Sequence, residues 1–86
     1  MDKKIIERSK KAEEMHDVDF ARYIKDKGLD FFILQNMDTY AGSFVKALSV
    51  CIRTADPVNF CKLVYTFREY FNMYLPHHWE KNHGKN

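Results

Sequence analysis

The stretch Ala55-Asp56-Pro57-Val58-Asn59 decides the fold of this chain. An aspartate followed by a proline predicts the start of a helix, because the Asp56 carboxylate can accept hydrogen bonds from the free N–H groups of the first turn. Pro57 then takes the first helical position, where its missing N–H costs nothing and its φ is already helical. One helix must end and another begin within about three residues, which predicts a tight αα-hairpin.

Helical patterns of apolar residues lie on both sides of this junction. Residues 39–55 carry a main apolar line of Tyr40, Phe44, Ala47, Leu48, Cys51 and Ala55. A second line beside it contains Ala41, Val45 and Ile52. Residues 57–74 carry a wide, aromatic stripe of Phe60, Leu63, Val64, Phe67, Tyr70, Phe71 and Tyr74. These two helices are the predicted base of the fold.

The first third of the chain predicts two shorter helices. Residues 2–15 are rich in Lys, Glu and Ala, which favour helix, although their apolar stripe is thin. Asp17 or Asp19 can cap a second helix. That helix ends at Gly28, a residue suited to the left-handed position after a helix.

Residues 29–39 are the ambiguous part of the sequence. The apolar run 29–35 fits a buried strand or a buried helical turn equally well by periodicity. We predict a short helix, because no second strand-like run is convincing as a pairing partner. Residues 36–39 are predicted as a loop, with Asp38 as the N-cap of the next helix.

The length of 86 residues is enough for one small domain. With 45% hydrophobic and 15% aromatic residues, the chain can bury a core. Because Pro76 stops the helix of the aromatic stripe, we predict a single helical domain over 1–76. Residues 77–86 are predicted as a polar tail, with Trp79 as its anchor. The predicted fold class is all-α, a small bundle of about four helices built on the hairpin.

Composition excludes several classes of protein. The net charge is +2, from 14 Lys and Arg against 12 Asp and Glu, which is not the basic excess typical of nucleic-acid binders. No apolar run approaches the roughly 18 residues of a membrane span, and the N-terminus lacks the apolar core of a signal peptide. Two cysteines within helical patterns do not make a disulfide framework. We predict a cytoplasmic protein without membrane association.

Neither metal binding nor catalysis is predicted by the spacing of reactive residues. The candidate ligands and nucleophiles are His16, Cys51, Cys61, His77, His78 and His83. None of them has the close pairing typical of zinc sites. A thiol–imidazole pair would need the fold to bring its members together, and no Gly-rich phosphate loop or nucleophile motif is present. The sequence therefore predicts no metal, no cofactor and no enzymatic activity.

Nucleic-acid binding is an alternative function, carried by the first helix. Its basic residues are Lys3, Lys4, Arg8, Lys10 and Lys11. Glu7, Glu13 and Glu14 interleave with them, so that a solvated helix with i,i+4 pairs explains the same pattern.

Protein binding is the function that the sequence favours. The helix after the junction is apolar over more of its circumference than one neighbour would cover, and exposed apolar patches mark interfaces. The residues predicted to contact a partner are Tyr65, Arg68, Asn72, Met73 and Trp79. The alternative is that helices over 18–27 and 30–36 cover this surface. If the chain associates with itself as an oligomer, a twofold homodimer is the expected symmetry.

The residues around the junction also resemble a known group of proteins. Gly42 to Leu48, Ala55 to Asn59, Leu63, and Phe67 to Tyr74 are similar to the C-terminal half of small accessory proteins encoded by tailed phages and prophages. The resemblance covers residues 40–74 and rests on helix-packing residues. It implies a compact helical protein from a mobile element. It further implies an inhibitor or adaptor that acts on host machinery or host defence by stoichiometric binding, and no site residues can be carried over.

Overall fold

The computed structural model describes residues 2–83, with side chains described for residues 2–79, and this part forms seven α-helices and no strand. The helices are α1 (Lys3–Glu13), α2 (Asp17–Asp26), α3 (Leu29–Tyr40), α4 (Ser43–Thr54), α5 (Pro57–Thr66), α6 (Arg68–Met73) and α7 (Pro76–His83). The predicted all-α fold class is confirmed. None of these helices is long and apolar enough to cross a bilayer.

Local signals set several helix ends, and those at Asp56-Pro57 and at Gly28 are as predicted. The Asp56 carboxylate accepts a hydrogen bond from the Asn59 N–H at 2.8 Å, and Pro57 begins α5. Gly28 lies between α2 and α3 with φ of +72°, the left-handed conformation that a residue with a side chain rarely adopts. The Asp2 carboxylate caps α1 by accepting from the Lys4 N–H at 3.1 Å.

The third helix is longer than predicted, and the predicted loop over 36–39 is wrong. These residues complete α3 because each finds a helical role: Met37 is fully buried, and Asn36 donates its side-chain amide to the Tyr74 carbonyl at 3.0 Å. Thr39 donates to the carbonyl one turn back. Asp38 is not an N-cap, since α4 starts at Ser43 after Gly42.

The buried face of α4 is rotated from the one that the main apolar line predicted. The buried residues are Val45, Leu48, Ser49 and Ile52. Phe44, Ala47 and Cys51 of the main apolar line are exposed on α4, as is Tyr40 at the end of α3. Ser49 can lie in this face because its hydroxyl is hydrogen-bonded to the Asp38 carboxylate and to the Lys46 carbonyl. The second line of the sequence analysis, Ala41, Val45 and Ile52, therefore faces the core.

The predicted helix over 57–74 is divided at Phe67, whose φ of −113° and ψ of 28° end α5 before α6 begins. The extra break, together with α7, gives more helices than the predicted four. Phe67 itself is half-buried, whereas Phe71 is fully buried with its ring edge-on to Phe20. The fully buried core residues include Phe20, Ile24, Leu29, Ile33, Met37, Val64, Phe71 and Leu75.

The C-terminal segment is a helix rather than the predicted polar tail. Pro76 ends one helical run but also starts α7, a position where its missing N–H costs nothing. Leu75 is fully buried, and α7 packs against α1 and α3. Residues 84–86, and the side chain of His83, lie outside the described part.

The two helices that the Asp56-Pro57 junction connects, α4 and α5, pack mainly on other helices. Helix α4 lies against α3 and α5 lies against α2, while the contact between α4 and α5 is smaller. This arrangement, with α7 across α1 and α3, brings the ends of α3, α4, α6 and α7 together at one surface.

Candidate binding surface

Aromatic rings near the ends of α3, α4, α6 and α7 and at the α5–α6 break pack in two groups, here together called the aromatic surface. Its members are Tyr40, Phe44, Phe67, Tyr70, Tyr74 and Trp79. Phe44, Phe67 and Tyr70 form one group, with ring centroids 6.0 to 6.2 Å apart. In the other group the Trp79 ring stacks on Tyr40 at 4.2 Å and on Tyr74 at 5.5 Å, nearly parallel to both.

The connections between helices place these rings side by side. Tyr40 ends α3 and Phe44 lies in the first turn of α4, so that the short turn between them holds both at the same end of the fold. Tyr70 and Tyr74 are one helical turn apart, and the Tyr74 N–H donates to the Tyr70 carbonyl. The Trp79 indole N–H donates to the Met73 carbonyl at 3.0 Å, which fixes α7 against the end of α6.

Several of these side chains remain open to solvent. Phe44 is 58% exposed, Met73 51% and Tyr40 50%, whereas Tyr74 is 8% exposed. A single exposed apolar residue needs no explanation, but a contiguous exposed group does. Because the rings pack on one another, they are held in fixed positions at the surface.

A cleft with a volume of about 430 Å³ adjoins the stacked rings. It is lined by Glu13, Glu69, Asn72, Met73, His78 and Trp79. Its charge comes from the two carboxylates, and no lysine or arginine is among the described lining residues. The cleft therefore favours a basic group next to an apolar one.

The structure brings together three of the five residues predicted to contact a partner. Asn72, Met73 and Trp79 all line the cleft. Tyr65 lies elsewhere, in an apolar groove of about 230 Å³ between α2 and α5.

Arg68 has a structural role that the sequence did not predict. Four of its N–H groups donate within the chain, to Asp17, to the carbonyls of Ala12 and Glu13, and to the Asn72 side chain. Its side chain is only 14% exposed. Arg68 therefore has little donor capacity left for a partner, and its role as a contact residue stays a prediction.

The basic residues of α1 are only partly gathered. Lys4, Arg8 and Lys11 line a shallow depression together with Glu7 and Tyr23. The Lys11 ammonium lies 5.8 Å from the centroid of the Tyr23 ring. Lys3 and Lys10, although exposed, are not among the residues of this depression.

At the contact of α1 with α7, a cluster of polar side chains lies where the sequence predicted a tail. Glu13 Oε1 is 2.8 Å from His77 Nε2, and Glu13 Oε2 is 2.8 Å from His78 Nε2. His77 Nδ1 is 2.6 Å from the Ser9 Oγ, which also accepts from the His77 backbone N–H at 3.0 Å. The spacing rules used on the sequence missed this cluster because Glu13 is 64 residues from His77.

Opposing effects set the protonation of this cluster. For Glu13, burial raises the pKa, but the hydrogen bonds and charges of His78 and His77 outweigh it and leave the pKa below its usual value. For His77, burial and the neighbouring His78 charge lower the pKa, and the bond to Glu13 offsets only part of that. His77 is therefore favoured in its neutral form.

Ser9, His77 and Glu13 have the connectivity of a hydroxyl–imidazole–carboxylate triad, in which a base is oriented by a third group. Ser9 is fully buried, however, and its oxygen accepts from backbone. A nucleophile must reach its substrate, so this serine is a packing and hydrogen-bonding residue. The geometry gives no support to hydrolysis by this hydroxyl.

The chain shows no significant similarity to a protein-family model, a curated protein or a solved structure.

Proposed function

We propose that this protein is a non-catalytic module that binds a protein partner on its aromatic surface. The observation that carries this proposal is the exposure of Phe44 and Tyr40, 58% and 50%, each in one of the two groups of packed rings. Aromatic residues and methionine are enriched in the cores of protein interfaces. Each such ring has a large area to bury on association.

The packing of the rings also reduces the entropic cost of association. Immobilising a flexible side chain at an interface costs about 0.5–1.5 kcal/mol. Trp79, stacked between Tyr40 and Tyr74, has already lost that freedom in the free protein. A surface of this kind favours stoichiometric binding.

The chemistry of the partner follows from the rim of the surface. The rings require apolar anchors, and the exposed carboxylate of Glu69 in the adjoining cleft favours a lysine or arginine on the partner. The resemblance of residues 40–74 to phage accessory proteins supports a host protein as the partner, with this chain acting as an inhibitor or adaptor.

Paired substitutions test this proposal. Phe44→Ser removes an exposed ring of the surface, and Phe31→Ser removes a ring of similar exposure, 64%, elsewhere on the fold. A partner is captured from host extract, purified, and its affinity measured by calorimetry for each variant. We expect Phe44→Ser to weaken binding about tenfold or more, as for an interface hot spot, and Phe31→Ser to leave it unchanged.

Equal affinities for the two variants would contradict the proposal. Light scattering on the pure chain measures its mass and so tests for self-association. A dimer that Phe44→Ser dissociates would make a second copy of this chain the partner. A monomer that captures nothing would also count against the proposal.

A second candidate function, nucleic-acid binding, has one observation in its favour. The half-buried Tyr23 ring is flanked by the ammonium groups of Lys11 and Lys27, at 5.8 and 5.9 Å, with Lys4 and Arg8 nearby. An aromatic ring among cations is the arrangement used to bind single strands. Anisotropy with a labelled oligonucleotide tests it: affinity should fall steeply with salt, and Lys4→Glu with Lys11→Glu should abolish it.

A further inference from the structure

We propose that Glu13, His77 and His78 form a binding site for a divalent transition-metal ion of the zinc class, which would join α7 to α1. This proposal does not depend on the proposed function, since it rests on the contact of α1 with α7 and not on the aromatic rings.

Three ligand atoms converge at this point of the fold. The two imidazoles and the carboxylate each offer one ligand atom, and these atoms all lie within 4.8 Å of one another. Glu13 is at the end of α1, and the histidines are at the start of α7, two helices that pack closely. The backbone therefore fixes the donors on both sides.

The kinds of donor select the ion. Two imidazole nitrogens with one carboxylate are ligands that suit zinc and its neighbours in the transition series. Calcium and magnesium prefer sites made of oxygen atoms. Because His78 and Glu13 also line the cleft, a water molecule can take a fourth position from the solvent side.

Ser9 supplies the supporting contact that metal-bound histidines usually have. A ligating imidazole commonly donates its other N–H to a fixed acceptor, which sets the tautomer and the orientation of the ring. The Ser9 Oγ lies 2.6 Å from His77 Nδ1. On metal binding through Nε2, the proton of the neutral His77 ring moves to Nδ1, and the Ser9 hydroxyl changes from donor to acceptor.

Only small movements are needed to admit the ion. The N–O distances of 2.8 Å in the cluster are hydrogen bonds. Tetrahedral zinc with bonds of about 2.0–2.2 Å places its ligands roughly 3.4 Å apart. The side chains of Glu13 and His78 are 37% and 38% exposed and can move by this amount, while His77, at 11%, stays fixed.

Calorimetry with zinc chloride at pH 7.5, on the untagged full chain, tests the proposal. We expect one ion per chain and a rise in Tm, since an ion that binds only the folded state stabilises it. His78→Ala and Glu13→Gln should each weaken zinc binding at least tenfold. These side chains are partly exposed, so the variants should keep the helical spectrum that confirms folding.

Matched variants separate this site from other zinc ligands in the chain. His16→Ala, on an exposed histidine, and Cys51→Ser, on an exposed thiol, should leave the affinity unchanged. X-ray absorption of the zinc complex should show two imidazole nitrogens at about 2.0–2.1 Å. The proposal is overturned if zinc does not bind, or if His78→Ala and Glu13→Gln bind it as tightly as the parent chain.

Discussion

The guanidinium carbon of Arg68 lies 3.6 Å from the centroid of the fully buried Phe20 ring. The same guanidinium donates to Asp17 in the first turn of α2 at 2.8 Å and to carbonyls in the last turn of α1. One side chain of α6 therefore holds α1 and α2 in place. The same end of α1 carries the Glu13 side chain, which contacts the histidines of α7.

Arg68→Ala should lower the free energy of unfolding by about 3 kcal/mol, because it removes charged hydrogen bonds to Asp17 and to two α1 carbonyls, and also the contact of the guanidinium with the Phe20 ring. Arg68→Lys keeps the charge but not the planar fork, and should recover only part of the loss. Urea denaturation followed by circular dichroism measures both. The exposed Lys62→Ala serves as the control, within about 0.5 kcal/mol of the parent. A similarly small effect of Arg68→Ala would refute its structural role.

The two phenylalanines near the α5–α6 break should differ in their contribution to stability. Phe71→Ala removes a fully buried ring and should cost about 3–5 kcal/mol. Phe67 is only half-buried, so Phe67→Ala should cost less, about 1–2 kcal/mol. Thermal and urea unfolding of the two variants give the comparison, and a larger loss for Phe67→Ala would contradict the assigned core.

Asp56→Ala should destabilise the chain by about 1 kcal/mol, because the N–H of Asn59 loses its side-chain acceptor at the start of α5. Asp26→Ala is the matched control: that aspartate is exposed at the end of α2, where a negative charge is not favoured by the helix dipole. Its removal should be neutral or slightly stabilising. The Tm of each variant measures the effect, and equal values for the two would speak against the cap.

The free energy of unfolding should fall as the pH is lowered below about 6.5, because His77 then takes up a proton more readily in the unfolded state than in the folded one. Burial and the His78 charge lower its pKa in the folded protein below the ordinary value of 6.5. The unfolded state then binds more protons in the window beneath 6.5, so the contribution of His77 is complete above that pH and is lost as pH falls through the folded pKa. Thermal unfolding between pH 7.5 and about pH 5 should show this fall.

His77→Gln should flatten that pH dependence, and His16→Gln should retain it. Ser9, Glu13, His78 and the charge of Lys10 all act on the His77 ring. Glu13 contributes in a separate window, because its lowered pKa keeps its contribution intact until the pH falls below about 4.5. An unchanged slope in His77→Gln would show that another group titrates.

Short-range chemistry allowed several features to be predicted from the sequence. Asp56 and Pro57 fix the start of α5 through a hydrogen bond and a dihedral angle that involve only neighbouring residues. Gly28 ends α2 in the same local way. The face of α4 was predicted wrongly, because the burial of Ser49 depends on Asp38, a residue of another helix.

The candidate sites depended even more on long-range contacts. Met73 and Trp79 were predicted to contact a partner from their residue type, but the stacking of Trp79 on Tyr40 required the packing of α7 on α3. The contacts of Arg68 with Phe20 and Asp17 could not be predicted, because both partners are about 50 residues away in the sequence.

The sequence by itself determined the helical class and the turns at Gly28 and at Asp56-Pro57, since propensity, capping and the conformations of proline and glycine act within a few residues. Only the tertiary structure decided which side chains meet. Glu13 and His77 contact each other because α1 and α7 share a buried boundary, and the stability of that boundary comes from apolar burial summed over the whole chain.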